Sequence, residues 1–91
     1  METGLGSSRL LHAVVVPPNY KKQYLFEGFV KSVSSFNVEG AFDVLPMHEN
    51  FVSMVRDKVV IVDDKDLRHE FVLGKGIIEA TNNNVRVIME F

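Results

Sequence analysis

The amino-acid sequence predicts an all-β protein, an antiparallel β-sandwich or flattened barrel of about eight to ten short strands. Three observations support this prediction. Apolar residues recur mostly at every second position, which is the period of a β-strand. Valine, a β-branched residue that favours strands, is frequent along the chain. Turn-forming residues interrupt the apolar segments at intervals of roughly ten residues, and no segment has a long helical period.

The first two strands are predicted on either side of a proline pair. Residues Leu10 to Val16 form an apolar segment that ends at Pro17-Pro18, because proline supplies no ladder donor. The second strand is expected from Tyr24 to Ser35. Val30 and Val33 in this strand are out of phase with each other. We therefore expect a β-bulge or a break near Lys31-Ser32.

The middle of the chain contains three further apolar segments. Phe36-Asn37 is expected to turn the chain, and the short strand Phe42 to Leu45 is ended by Pro46. Phe51 to Val55 is the next apolar segment. Val59 to Val62 is uninterrupted, as expected of a strand covered on both faces.

A polar cluster, Asp63 to Asp66, predicts a hairpin turn between the last of these segments and its partner strand, His69 to Leu73. Gly74 and Gly76 are expected to supply a bend or bulge. Residues Ile77 to Ala80 then form another short strand.

The C-terminal part shows the clearest strand pattern. Asn82 to Asn84 predict a turn, because asparagine tolerates the left-handed backbone conformation. From Val85 to Phe91, apolar residues occupy every second position.

We expect residues 1–8 to be a disordered lead-in and residues 9–91 to form one sandwich domain.

Composition excludes several classes of function. The 91 residues include no cysteine, which excludes disulfides, thiolate catalysis and cysteine-based zinc sites. The formal net charge of −2 provides no positive field for nucleic acid, so no nucleic-acid partner is expected. No apolar run approaches the roughly 20 residues of a membrane span, so no direct membrane insertion is expected. No signal-peptide pattern occurs at the N-terminus.

Motifs for catalysis, cofactors or metals are also missing. His12, His48 and His69 are far apart in sequence and form no metal-ligand motif. A calcium loop that begins at Asp64 would lack both the ligand at its fifth position and the glycine at its sixth. The segment Gly74 to Gly76 is too short for a phosphate loop, and no nucleophile elbow occurs. We therefore predict no catalytic, cofactor-binding or metal-binding residues, and a binding or structural module.

The stretch Glu39 to His48, which reads E-G-A-F-D-V-L-P-M-H, belongs to a set of motifs shared with one known family. The residues that carry the match, over roughly 80 positions, are Val16-Pro17; Phe26, Gly28 and Val30; Glu39, Gly40, Val44, Leu45, Pro46 and His48; Gly76 to Glu79; and Asn84, Val85 and Val87. In this pattern the chain resembles the N-terminal β-sandwich domain of the epsilon subunit of F-type ATP synthases, called delta in mitochondria.

The chain departs from this family at several positions. Glycines of the family are replaced by Asp43, Met47 and Lys75, and an acidic residue that often follows E-G is replaced by Ala41. Loss of glycine from a position with positive φ costs roughly 1 kcal/mol or more. We therefore expect the turn at Met47 to be shaped differently. The family also continues into a C-terminal helical hairpin, which we expect this chain to lack.

The resemblance implies a mechanical role without catalysis. One side of the domain would bind the gamma subunit, and a loop at one end would bind the c ring, coupling ion transport to ATP synthesis. The ring-facing residues would be Glu39, Gly40, Ala41, Phe42 and Asp43, supported by Leu45, Pro46 and His48. His48 could be a partly buried hydrogen-bond brace or an exposed loop residue.

The same resemblance implies a peripheral position on the cytoplasmic face of a bacterial plasma membrane, or on the equivalent side in an organelle. The alternative is a stand-alone β-sandwich adaptor that keeps the fold without the ATP synthase role. The glycine losses and the missing hairpin favour this alternative. A third hypothesis is an enzyme whose active site is assembled from distant residues.

Overall fold

The computed structural model describes residues 10–18 and 23–90 of the chain. Six β-strands make up this part of the structure. In chain order they are β1 Leu11–Val16, β2 Phe26–Asn37, β3 Gly40–Val44, β4 Phe51–Asp63, β5 Arg68–Thr81 and β6 Asn84–Met89. The segment predicted as a disordered lead-in, residues 1–8, lies outside the described residues.

The six strands form one sheet that folds back on itself. Their order is β1-β6-β5-β4-β2-β3, and β1 also pairs with the first part of β2. This additional pairing closes five strands into a barrel. The molecule is flattened, with extents of 41 × 30 × 21 Å. The predicted fold class is confirmed. All pairs are antiparallel except β1 and β6, which run parallel.

The strands are fewer and longer than predicted. The segments Phe51 to Val55 and Val59 to Val62 join into β4, and the two segments on either side of Gly74 join into β5. The junction is a β-bulge, because Arg56 pairs with Lys75 while Asp57 pairs with Leu73, which leaves Gly74 without a partner. A bulge bends a strand without ending it. Both strands therefore run from one side of the flattened barrel to the other.

The turns follow the sequence with one exception. Phe36 and Asn37, predicted as a turn, are the last residues of β2, and the chain reverses one step later at Val38 and Glu39. The cause is Gly40, whose φ of 115° is open only to glycine and lets the hairpin close there. The predicted turns at residues 63–66 and 82–84 are confirmed.

Of the two alternatives expected near Lys31-Ser32, a bulge or a break, the structure has the bulge. The pairing of β2 with β4 shifts by one residue between Val30 and Ser32. Because of this extra residue, both valines point into the core although they are out of phase in the sequence.

The core is built from the inward-facing residues of all six strands. Its buried members are Leu11, Ala13, Val15, Val30, Val33, Val44, Val55, Val59, Ile61, Leu73, Ile78, Ala80, Val85, Val87 and Met89. One polar side chain, Ser35, is buried with them, and its hydroxyl donates to the Lys58 carbonyl at 2.7 Å. That hydrogen bond offsets the desolvation of the hydroxyl group.

No helix in the described part of the chain is long and apolar enough to cross a membrane.

Candidate functional site

A row of apolar side chains crosses the outer surface of the barrel. Cross-strand partners point to the same side of a sheet. The pairs Met54–Ile77, Ile77–Ile88 and Ile88–Val16 are therefore neighbours on one face. Leu25 extends the row. Phe26 is paired with Val15, so the residue before it, Leu25, lies opposite Val16, and the Leu25 N–H donates to the Val15 carbonyl at 2.8 Å.

We call these five residues, Leu25, Val16, Ile88, Ile77 and Met54, the apolar row. They lie on the solvent side because the alternate residues of the same strands are the ones buried in the core. The two ends of the row are the most exposed, with Leu25 at 49% and Met54 at 60%. Five apolar residues side by side on an outer sheet face are typical of a surface that binds a partner.

A second, mixed row runs parallel to the apolar row. Val14 lies opposite Arg86, Arg86 lies opposite Glu79, and Glu79 lies opposite Val52. The charged side chains of Arg86 and Glu79 thus interrupt the apolar surface on this side. An apolar centre beside a polar border is the usual composition of a protein–protein interface.

The hairpin between β2 and β3 stands at the Met54 end of the apolar row. Its tip residue, Val38, is 95% exposed. The side chain of Asn37 accepts a hydrogen bond from the Glu39 N–H at 2.9 Å, which fixes the backbone of the tip. A cavity of about 270 Å³ separates Val38 from Met54 and is lined by both residues. The hairpin tip therefore extends the apolar row.

The structure divides the stretch Glu39 to His48 into three parts. Glu39 belongs to the hairpin tip, residues 40–44 form β3, and residues 45–48 form a separate turn. Five strand residues span roughly 16 Å. The tip and the turn are therefore at opposite ends of β3, and the structure does not bring Leu45, Pro46 and His48 beside the tip.

The ring-facing residues predicted in β3 point to different sides. Ala41 and Asp43 are exposed on the outer surface, and Asp43 Oδ1 accepts a hydrogen bond from the Ser34 hydroxyl at 2.6 Å. Phe42 points the other way and packs against the core, with its ring 5.9 Å from that of Phe51. Phe42 thus supports β3 from inside.

The turn at residues 45–48 keeps the backbone shape that a glycine would favour. The His48 N–H donates to the Leu45 carbonyl at 3.1 Å, and Met47 has a φ of 71°. Proline at the second position and positive φ at the third are typical of a type II turn. The expectation that Met47 reshapes this turn was wrong. The Asn83 side chain holds it, because Oδ1 accepts from the Met47 N–H at 2.7 Å.

His48 is an exposed loop residue. Its Nδ1 is 2.8 Å from the carbonyl of the adjacent Glu49, and its ring centroid is 5.0 Å from that of Phe51. The hydrogen bond joins neighbours in sequence and braces no second segment.

His69, in contrast, is less exposed than its charged sequence neighbours suggest. Its Nε2 lies 2.9 Å from Asp63 Oδ2, and its ring packs 5.0 Å from Phe26. The hydrogen bond from His69 is the main cause of a lowered pKa of Asp63, and the N–H groups of Leu67 and Lys65 contribute. The pair stabilises the β4–β5 hairpin. Within residues 10–18 and 23–90, no group of His, Asp and Glu is arranged to hold a metal ion.

Sequence reasoning missed the apolar row, although a signal for it was present. Val85, Val87 and Met89 mark the inward face of β6, which leaves Ile88 as an apolar residue in the solvent-facing phase. Met54 stands out in the same way beside the inward-facing Val55. Apolar residues in the polar phase of a half-buried strand indicate a second covered face.

Comparison with known proteins gives a consistent result. A family model described as the β-sandwich domain of the ATP synthase delta/epsilon chain matches residues 11–91. The ATP synthase epsilon chain of Endomicrobium trichonymphae is 33% identical over 67 residues, which cover 74% of this chain and 49% of that relative. The epsilon chain of Helicobacter pylori strain P12 is 31% identical over 78 residues, which cover 86% of this chain and 60% of the relative.

Solved structures share the fold at low sequence identity. A chain in the Euglena gracilis mitochondrial ATP synthase, determined as OSCP, F1 and c-ring, superposes with a TM-score of 0.79 at 13% identity, covering 91% of this chain and 52% of that one. A chain in the central stalk and c-ring of the Tetrahymena thermophila enzyme gives 0.65 at 9% identity, covering 89% and 63%. This chain spans about half the length of the curated relatives that it matches.

Proposed function

Because this chain belongs to the delta/epsilon β-sandwich family of ATP synthase subunits, we propose that it is the sandwich domain of an epsilon subunit in the central stalk of a rotary ATP synthase. In this role it has no catalytic activity of its own. It fixes the stalk to the ring of c subunits, so that rotation driven by ion flow is transmitted without slip. The observation that carries the proposal is the apolar row, because the family's role requires a side of the sandwich that binds a partner.

The gamma subunit is the proposed partner of the apolar row. Full burial of an exposed Leu or Met side chain contributes about 1.5–3 kcal/mol. Leu25 and Met54 are about half exposed, so each would contribute roughly half of that value. The charged pair of Arg86 and Glu79 would lie at the border of this interface, where charges affect partner choice more than affinity.

The c ring is the proposed partner of the β2–β3 hairpin. Glu39 lies in the turn of this hairpin, and Ala41 and Asp43 are exposed just behind it. Gly40 shapes the tip through its positive φ. Phe42 supports the strand from the core side. Compared with the residues expected from the sequence, the proposed ring contact keeps Glu39 to Asp43, and Leu45, Pro46 and His48 lie outside it. Val38 lies beside Met54 and is assigned to the surface proposed for gamma.

The proposed location follows from these partners. The domain would be held peripherally at a membrane, through gamma and the c ring, on the cytoplasmic face of a bacterial plasma membrane or the equivalent side in an organelle.

A co-purification experiment tests the proposal. The tagged chain is incubated with the gamma subunit and with detergent-solubilised c ring from the same organism, and retained subunits are identified. We expect gamma to be retained at roughly micromolar concentrations. Retention of neither partner would refute the proposal.

A further inference from the structure

We propose that the cavity between the hairpin tip and the apolar row is a binding pocket for one bulky apolar side chain of the partner, flanked in that partner by a carboxylate. This inference rests on the proposed docking to the gamma subunit. The pocket is lined by Asn37, Val38, Met54, Val55, Arg56, Gly74 and Lys75.

The volume of the pocket favours a side chain as its occupant. Sites for small molecules and cofactors usually measure about 300–1,000 Å³ and enclose most of the ligand. This cavity measures about 270 Å³ and is open on one side. Val38 and Met54 supply apolar walls, and the buried Val55 lies beneath them. Such a shape suits the insertion of a single Leu, Ile, Met or Phe side chain.

The β-bulge creates the pocket. At the bulge, Gly74 is the extra residue of β5 and carries no side chain that could fill the space beside Met54. On the opposite wall, the hydrogen bond from the Glu39 N–H to Asn37 holds Val38 in place. The backbone of both walls is therefore held in the unbound chain, by this hydrogen bond and by the pairing of β4 with β5. A pocket formed in advance loses less conformational entropy when it is filled.

The charges at the pocket favour an acidic neighbour in the partner. Arg56 and Lys75 line the cavity, and none of the described residues that line it carries a carboxylate. Arg56 pairs with Asp57 at 2.8 Å, and Lys75 lies 4.0 Å from Glu90. These are exposed ion pairs, which are individually weak. A partner carboxylate can therefore approach Arg56 without loss of a strong interaction.

The pocket also lies where an interface anchor is most effective. Met54 is at once a wall of the cavity and the last residue of the apolar row. A gamma subunit that covers the row and the Val38 side of the hairpin buries this pocket within the contact area. Inserted side chains at such positions commonly carry much of the binding energy.

Two substitutions and two matched controls test the pocket. Val38→Asp places an acidic group in the wall, and Lys75→Glu reverses one charge at the rim. Val72→Asp is the control for Val38, because Val72 is 80% exposed on a part of β5 that pairs with the second half of β4. Lys65→Glu, in the β4–β5 turn, is the control for Lys75. Binding of each folded variant to the gamma subunit is measured by titration calorimetry at two salt concentrations.

We expect Val38→Asp to weaken binding by about tenfold or more, as loss of an interface anchor does. Lys75→Glu should weaken binding severalfold and reduce its dependence on salt. Both controls should bind as the wild-type chain does. The chain has no cysteine, so Val38→Cys carries a unique thiol for a photoactivatable cross-linker. The cross-linked gamma segment should contain an apolar residue next to Asp or Glu.

The outcomes separate this inference from the proposed function. Suppose that the wild-type chain binds gamma and that Leu25→Asp, at the far end of the apolar row, abolishes binding. If Val38→Asp and Lys75→Glu then bind like the wild type, or the cross-link maps to a segment without an acidic residue, the pocket inference is wrong and the docking proposal stands. If the wild-type chain itself does not bind gamma, the docking proposal is wrong.

Discussion

Replacement of Met47 by glycine should stabilise the domain. Met47 has a φ of 71°, in the left-handed region, where a side chain costs about 1–2 kcal/mol. Its side chain is 73% exposed, so little packing is lost. The greater freedom of glycine in the unfolded chain offsets about 0.5–1 kcal/mol of the gain. The net stabilisation is therefore about 0.5–1 kcal/mol.

The measurement is urea unfolding of the wild type and two variants, supported by calorimetry. For a domain of this size the gain corresponds to an increase in Tm of about 2–8 °C. Met47→Ala is the control, because it removes the same side chain and keeps the unfavourable backbone conformation. Its stability should stay close to that of the wild type. If Met47→Gly is no more stable than Met47→Ala, the backbone at residue 47 is not strained and the reasoning fails.

Two further predictions concern the core and acid stability. Gly76→Ala should destabilise the domain by about 1–3 kcal/mol, because a Cβ there would lie 2.6 Å from the Ile88 carbonyl oxygen and 2.8 Å from Leu73 Cδ1; unchanged urea unfolding would refute this. Asp63 has a lowered pKa in the folded chain because of its hydrogen bonds to His69 and to the turn. The ionised carboxylate therefore stabilises the fold above the unfolded-state pKa of about 3.9. This stabilisation is lost as the pH falls through the lower, folded-state pKa. Asp63→Asn should therefore be less stable at pH 7 and lose less stability than the wild type between pH 7 and about pH 2.5, and equal losses would contradict the assignment.

Much of the fold follows from local sequence patterns. The period of two along Val85 to Met89 defines β6, and the turn at Asp63 to Asp66 depends on a carboxylate that caps its own loop. The bulge after Val30 is predictable because a change of phase within one apolar strand requires an extra residue. These features depend on neighbours in sequence, so the sequence alone carries them.

Features that depend on pairing between distant strands could not be predicted. Whether Gly74 ends a strand or bulges within it depends on how its neighbours Leu73 and Lys75 pair with Asp57 and Arg56, which lie seventeen or more positions from Gly74. The apolar row has the same origin, since its residues come from four strands and the segment before β2. The turn at Met47 keeps its shape through Asn83, on another hairpin.

The measurement that tests the central claim most directly is the affinity of the chain for the gamma subunit when one end of the apolar row is changed. Leu25→Asp introduces a charge where a half-exposed leucine is proposed to be buried, and Val72→Asp introduces the same group outside the row. Circular dichroism of both variants is the control for folding. We expect Leu25→Asp to weaken binding to gamma by tenfold or more, as the loss of an interface anchor does. Val72→Asp should leave the affinity unchanged. Equal affinity of Leu25→Asp and the wild type would contradict the claim that this face holds the domain on the stalk.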